Sequence, residues 1–216
     1  MAEAIFCYAQ DKEFFVKQAL IAIFKLVFFI LILPIIIAIV TAFGNQVVLL
    51  PAKKTIWIYW GALGYIVLYL FAYNFQEVHA FGQSMIEKCL AFFKPAVYIF
   101  PIYAILLTLG YFITTLLEHH HAFQSYFLSA IAFFAAMHLV LTAREIYEAD
   151  KGLLKSHYLL CFGLIVVVFL SIASLLLACV MPEFSLIEFF KSAYYQIIYQ
   201  YHFIYQRLFM DTGVLR

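Results

Sequence analysis

The sequence predicts an all-α polytopic integral membrane protein with five transmembrane helices, a cytoplasmic-surface amphipathic helix and a C-terminal amphipathic helix. Three observations carry this. Of 216 residues, 67% are hydrophobic and 12% charged, about half the charge of a soluble domain. The stretches 26–44, 55–75, 95–117, 122–143 and 158–181 contain no Asp, Glu, Lys or Arg. Their Leu, Ile, Phe, Val and Ala show no alternation of period two, so they suit helices, which pair their backbone groups internally, and not the strands of a barrel.

A hydrocarbon core of ~30 Å takes ~20 helical residues at about 1.5 Å each. The five runs, of 19, 21, 23, 22 and 24 residues, are therefore each expected to cross once, forming a domain over 26–181. The first follows a cytoplasmic segment, 1–25, that holds acidic as well as basic residues; it is expected to stay as an anchor and not to be cleaved as a signal peptide. Pro34 in the first run and Pro101 in the third each remove a backbone donor and are expected to bend their helices. Trp57, Tyr59 and Trp60 open the second run at headgroup level, where amphipathic rings partition. Tyr65, Tyr69 and Tyr73 follow as a stripe suited to packing and hydrogen bonding between helices.

Residues 76–94 place Val78, Phe81, Met85, Cys89 and Phe93 on one helical face, a pattern that fits a helix lying on the membrane surface. In the fourth run Ser125, Ser129, Ala132 and Ala136 recur at helical spacing, and in the fifth Ser171, Ser174 and Ala178 do the same. Small residues let helix backbones approach closely in lipid. A tight hairpin of the fourth and fifth spans is predicted, extended through Arg144, Glu145 and Glu148 and turned at Asp150-Lys151-Gly152.

The tail, 182–216, carries a stripe of Leu186, Phe190, Ala193, Ile197, Tyr201, Ile204 and Leu208. Glu188, Lys191 and Arg207 argue against a sixth span, since each would cost ~2.5–3.5 kcal/mol at helical depth. Its polar face holds Gln and Tyr with few cations, which favours a partner helix over bare lipid. Ile197, Tyr201, Ile204 and Leu208 are the expected docking face.

Net charge is +1, from 13 Lys and Arg against 12 Asp and Glu, without a basic run that would suit nucleic acid. Eight Lys and Arg fall on the N-terminal side of the spans and five on the other. The positive-inside rule then puts the N-terminus in the cytoplasm and the C-terminus in the periplasm of a bacterial inner membrane. Cys7, Cys89, Cys161 and Cys179 form no CxxC pair and are expected as free thiols.

Chemistry-bearing residues are sparse. Glu118-His119-His120-His121 reads as a polar turn, because successive helical side chains point ~100° apart and cannot close on one ion. His138 is the one strongly titratable side chain well inside a span; a packing histidine held by hydrogen bonds is the first reading. The uncharged cores oppose ion-coupled transport and proton channels, which need a charged relay at midplane. No nucleophile, paired carboxylates or phosphate loop stands out.

The expected function is that of a non-catalytic integral membrane subunit. It would scaffold a larger multiprotein complex, such as a secretion or export machine, with no cofactor or metal, and its partners would be other membrane subunits and the lipid bilayer. One alternative is a redox subunit holding b-type haem or quinone at His138, with His79 and His157 as facing ligands. Another is a facilitator for a small uncharged or lipid-like solute, built on the proline-bent first and third spans.

Overall fold

The computed structural model describes residues 2–71, 75–93, 95–118, 123–152 and 155–209, with side chains from Val16 to Arg207 except that of Glu118. The described residues form eight helices and no strand: α1 Ala2–Val48, α2 Ala52–Phe71, α3 Gln76–Cys89, α4 Ala96–Ile99, α5 Ile102–Glu118, α6 Gln124–Ala149, α7 Ser156–Val180 and α8 Leu186–Phe209. Four are long and apolar enough to cross a membrane: Val16–Val48 within α1, then α2, α6 and α7.

Head and first run form one rod, because nothing in residues 2–33 interrupts a helix. Pro34 lies buried within α1 and the helix runs through it. The third run departs from expectation. Phe100 is extended, with φ −94° and ψ 115°, as sterics require of a residue before proline. Pro101 therefore divides the run into the one-turn α4 and the 17-residue α5.

In cross-section α1 lies between α7 and α8, α7 packs on α6, and α6 carries α2 and α5 on its far side; consecutive α1 and α2 barely meet. At one end of the α6–α7 pair, buried Gln124 donates through Nε2 to the Val180 carbonyl at 2.7 Å. The other end turns where the sequence placed the turn. There Asp150 accepts from the Gly152 amide and from the Tyr158 amide in the first turn of α7, each at 2.8 Å. Lys155, at φ 48°, donates to the Tyr147 and Asp150 carbonyls across the same turn.

A close approach of two helices lies away from the predicted seam of the fourth and fifth spans. It lies between α2 and α6, where a Cβ at Gly61 would stand on the Ser129 carbonyl oxygen. A second close approach joins α1 to α7: a Cβ at Gly163 would meet Ile36 Cδ1 at 2.7 Å. Between α6 and α7, by contrast, Ala132, Ala135, Ala136 and Ala173 border an apolar cavity of about 190 Å³, also walled by Phe43, Ile58 and Ala62. Their small side chains leave space where a tight contact was expected.

On α3 the buried residues are His79, Gly82 and Ile86, while Val78 and Phe81 of the stripe expected to lie on the membrane are 40% and 64% exposed on the outside of the bundle. On α8 the buried edge runs through Phe189 and Ala193, so it is offset from the stripe through Phe190, which is exposed. Ser185 starts α8 by accepting from the Glu188 amide at 3.2 Å, a Ser-x-x-Glu capping arrangement.

Candidate functional site

The densest buried polar cluster joins α3 to α6. His79 and Gln83 stand one turn apart on α3; His138 and Glu145 stand two turns apart on one face of α6. Gln83 Nε2 lies 3.1 Å from His79 Nε2 and donates to Glu145 Oε2 at 2.7 Å, and His79 Nε2 is 3.4 Å from Glu145 Oε1. His79 is 2% exposed and His138 4%. Burial pushes the His79 imidazole below its usual pKa, against the upward pull of Glu145. The neutral ring then presents Nε2 as acceptor for one Gln83 amide hydrogen while the other goes to Glu145.

His138 donates through Nε2 toward the Tyr98 carbonyl at 3.2 Å. Its ring is stacked on Phe169 at 6.1 Å and stands 5.4 Å from the His79 ring. Tyr103 on α5 completes the junction by donating to the Val78 carbonyl at 2.6 Å. The void beside the two imidazoles is about 10 Å³, room for one water at most. A porphyrin does not fit between these histidines, and His157 lies apart, at the start of α7. The reading of His138 as a hydrogen-bonded packing residue agrees with this geometry.

A larger cavity of about 370 Å³ opens beside the cluster between α4, α6 and α7. Its wall is apolar apart from Tyr98, Glu145, His157 and Cys161, the last with its Sγ 3.5 Å from His157 Nδ1. Such a volume suits a small amphipathic molecule. Among the described residues no three His, Cys, Asp or Glu side chains group to hold a metal ion; His119, His120 and His121 lie outside those residues, as does Tyr73.

The remaining predicted residues occupy separate places. The Ser129 backbone abuts Gly61 of α2. Ser171 donates to the Val167 carbonyl at 2.9 Å within its own helix, Ser174 is fully buried without a hydrogen-bond partner, and Ala178 packs against the main core. On α8, Tyr201 donates to the Leu31 carbonyl at 2.6 Å, Ile197 and Ile204 flank that contact, and the side chain of Leu208 lies outside the described set. The helix that α8 docks on is therefore the chain's own α1.

Sequence reasoning overlooked Gln83 and Glu145. Their signals were the spacings to His79 and His138, four and seven residues, which share a helical face. No protein-family model matches the chain, and no curated protein or solved structure does either.

Proposed function

We propose that this chain is a non-catalytic membrane subunit whose work is to hold a larger assembly together, with α5, preceded by α4, as a fifth crossing. The observation that supports this most is α8. One edge of it is docked along α1, while Ile187, Tyr194, Tyr195 and Tyr199 are 61–78% exposed. Tyrosine-rich faces of this kind favour protein contacts over lipid. The polar cluster of α3 and α6 is satisfied internally, which suits a staple more than a reactive site.

Truncation after Pro182 tests the reading. The remaining spans should insert, and stoichiometric partner chains that co-purify with the full chain in mild detergent should be lost. Retention of every partner by the truncated chain would count against the assigned role of α8.

A second reading, a site for a small uncharged or lipid-like molecule, draws on the 370 Å³ cavity. Mass spectrometry of the purified chain should then find a bound molecule that Leu164→Trp displaces.

A further inference from the structure

We infer that the cavity of about 370 Å³ between α4, α6 and α7 is a site for a single alkyl chain headed by an ammonium group, with Glu145 as its counter-ion. The inference deepens the lipid-like reading of that cavity and rests on it.

The shape of the cavity follows α7. His157, Cys161, Leu164 and Val168 line it at steps of four, three and four residues, which is one helical face. The cavity therefore runs beside about 16 Å of helix, a length that suits an extended chain more than a compact solute. Ile99 of α4 and Ile146 and Ala149 of α6 complete the apolar wall.

Polarity changes from one end to the other. Glu145 stands two residues past the uncharged run 122–143 and His157 one residue before the run 158–181, so both belong to the rim of the bilayer. Leu164, Ile165 and Val168 lie within the second of those runs. An amphiphile has the same gradient: its chain would follow α7 inward, and its head would stay at headgroup level beside the few polar groups that fix its orientation.

Charge selects the head. Among the described residues no Lys or Arg lines the cavity, whereas Glu145 does. The cations near it in sequence are engaged elsewhere: Arg144 pairs with Glu148 at 2.7 Å, and Lys155 donates to the Tyr147 and Asp150 carbonyls across the turn. Glu145 accepts from Gln83 and stands 3.4 Å from His79, whose ring is neutral, so its charge is unmatched. Its side chain is 41% exposed and a carboxylate has room for further donors. An ammonium brings three donors and the missing charge, while a carboxylate or phosphate head would meet like charge.

The test uses the full chain in phosphatidylcholine bilayers and three photoactivatable probes, an alkylamine with a diazirine in its chain and the alcohol and carboxylic acid of the same chain. Insertion is mapped by mass spectrometry and normalised to Leu70 of α2, which is 67% exposed. The amine should label Leu164, Ile165 and Val168 about fivefold more than the alcohol, the upper end for a half-exposed ion pair, and the acid least. Glu145→Gln should bring the amine down to the level of the alcohol. Gln83→Leu, which removes the carboxylate's donor and leaves its charge, should keep the preference. Competition by added phosphatidylethanolamine would assign the ammonium to a lipid headgroup, and its absence to a free amine.

Equal labelling by the three probes, in the native chain and in Glu145→Gln alike, would overturn the ammonium head and leave the lipid-like reading standing. An equal loss in Gln83→Leu and Glu145→Gln would also overturn it, since the integrity of the α3–α6 cluster and not charge would then govern binding. Labelling of Leu164, Ile165 and Val168 no greater than that of Leu70 with every probe would overturn both the head and the lipid-like reading.

Discussion

Gly61 and Tyr65, one turn apart on α2, carry opposite expectations for the same seam. At Gly61 a methyl would meet backbone atoms of Ser129, which cannot rotate away. Gly61→Ala should therefore lower the unfolding temperature in detergent, by an overpacking cost of ~1–3 kcal/mol. Gly64→Ala, with nothing within 4 Å of the added carbon, should be silent. Tyr65 is fully buried among the rings of Tyr69, Phe75 and Phe133, and its hydroxyl has no partner. Tyr65→Phe should keep that packing and remove an unsatisfied group that costs about 1–3 kcal/mol; a rise in thermal stability is expected. Sequence spacing marked Tyr65 and His138 as inward residues. It did not show which polar atoms find partners, because that depends on side chains brought in from other helices.

Among elements, α3 and the α6–α7 turn respond to pH in different windows. His79 faces His138 and Glu145 on α6, Tyr103 on α5 and Gln83 on its own helix. Burial holds its folded pKa below the usual 6.5, against the upward pull of Glu145. On acidification the unfolded chain takes up a proton that the folded chain refuses, so stability should fall as pH drops through about 6.5. His79→Asn should flatten thermal stability between about pH 7.5 and 5.5. At the turn, burial alone would raise the pKa of Asp150, but the amides of Tyr158 and Gly152, with His157 and Lys155 nearby, hold it below the usual carboxylate range. Its contribution is present above 3.8 and is lost as pH falls further. Asp150→Ala should cost ~1 kcal/mol at neutral pH through loss of the cap, read as a lower unfolding temperature. The sequence located this turn from Asp-Lys-Gly and α8 from its period. It misjudged the contact face of α8, since an amphipathic pattern identifies an apolar side but not which neighbour lies there.

Over the whole molecule, the cavity of about 190 Å³ where α1, α2, α6 and α7 meet shows how loosely the centre is filled. Ala173→Val should stabilise the bundle by ~0.5–2 kcal/mol as a cavity-filling change, measured by thermal unfolding in detergent. The sequence by itself determined a helical chain with uncharged runs long and apolar enough to cross a membrane, because a bilayer selects against charge and unpaired backbone whatever the neighbours are. The division at Pro101 is also a local steric matter, although only a bend was expected there. Tertiary structure alone decided that α6 clasps α2 at Gly61, that His79 is drawn over His138, and that α8 lies along α1. Those outcomes depend on shape and hydrogen bonding between segments as much as 170 residues apart, and in lipid, where burial of apolar surface does not discriminate among partners, such contacts select the arrangement.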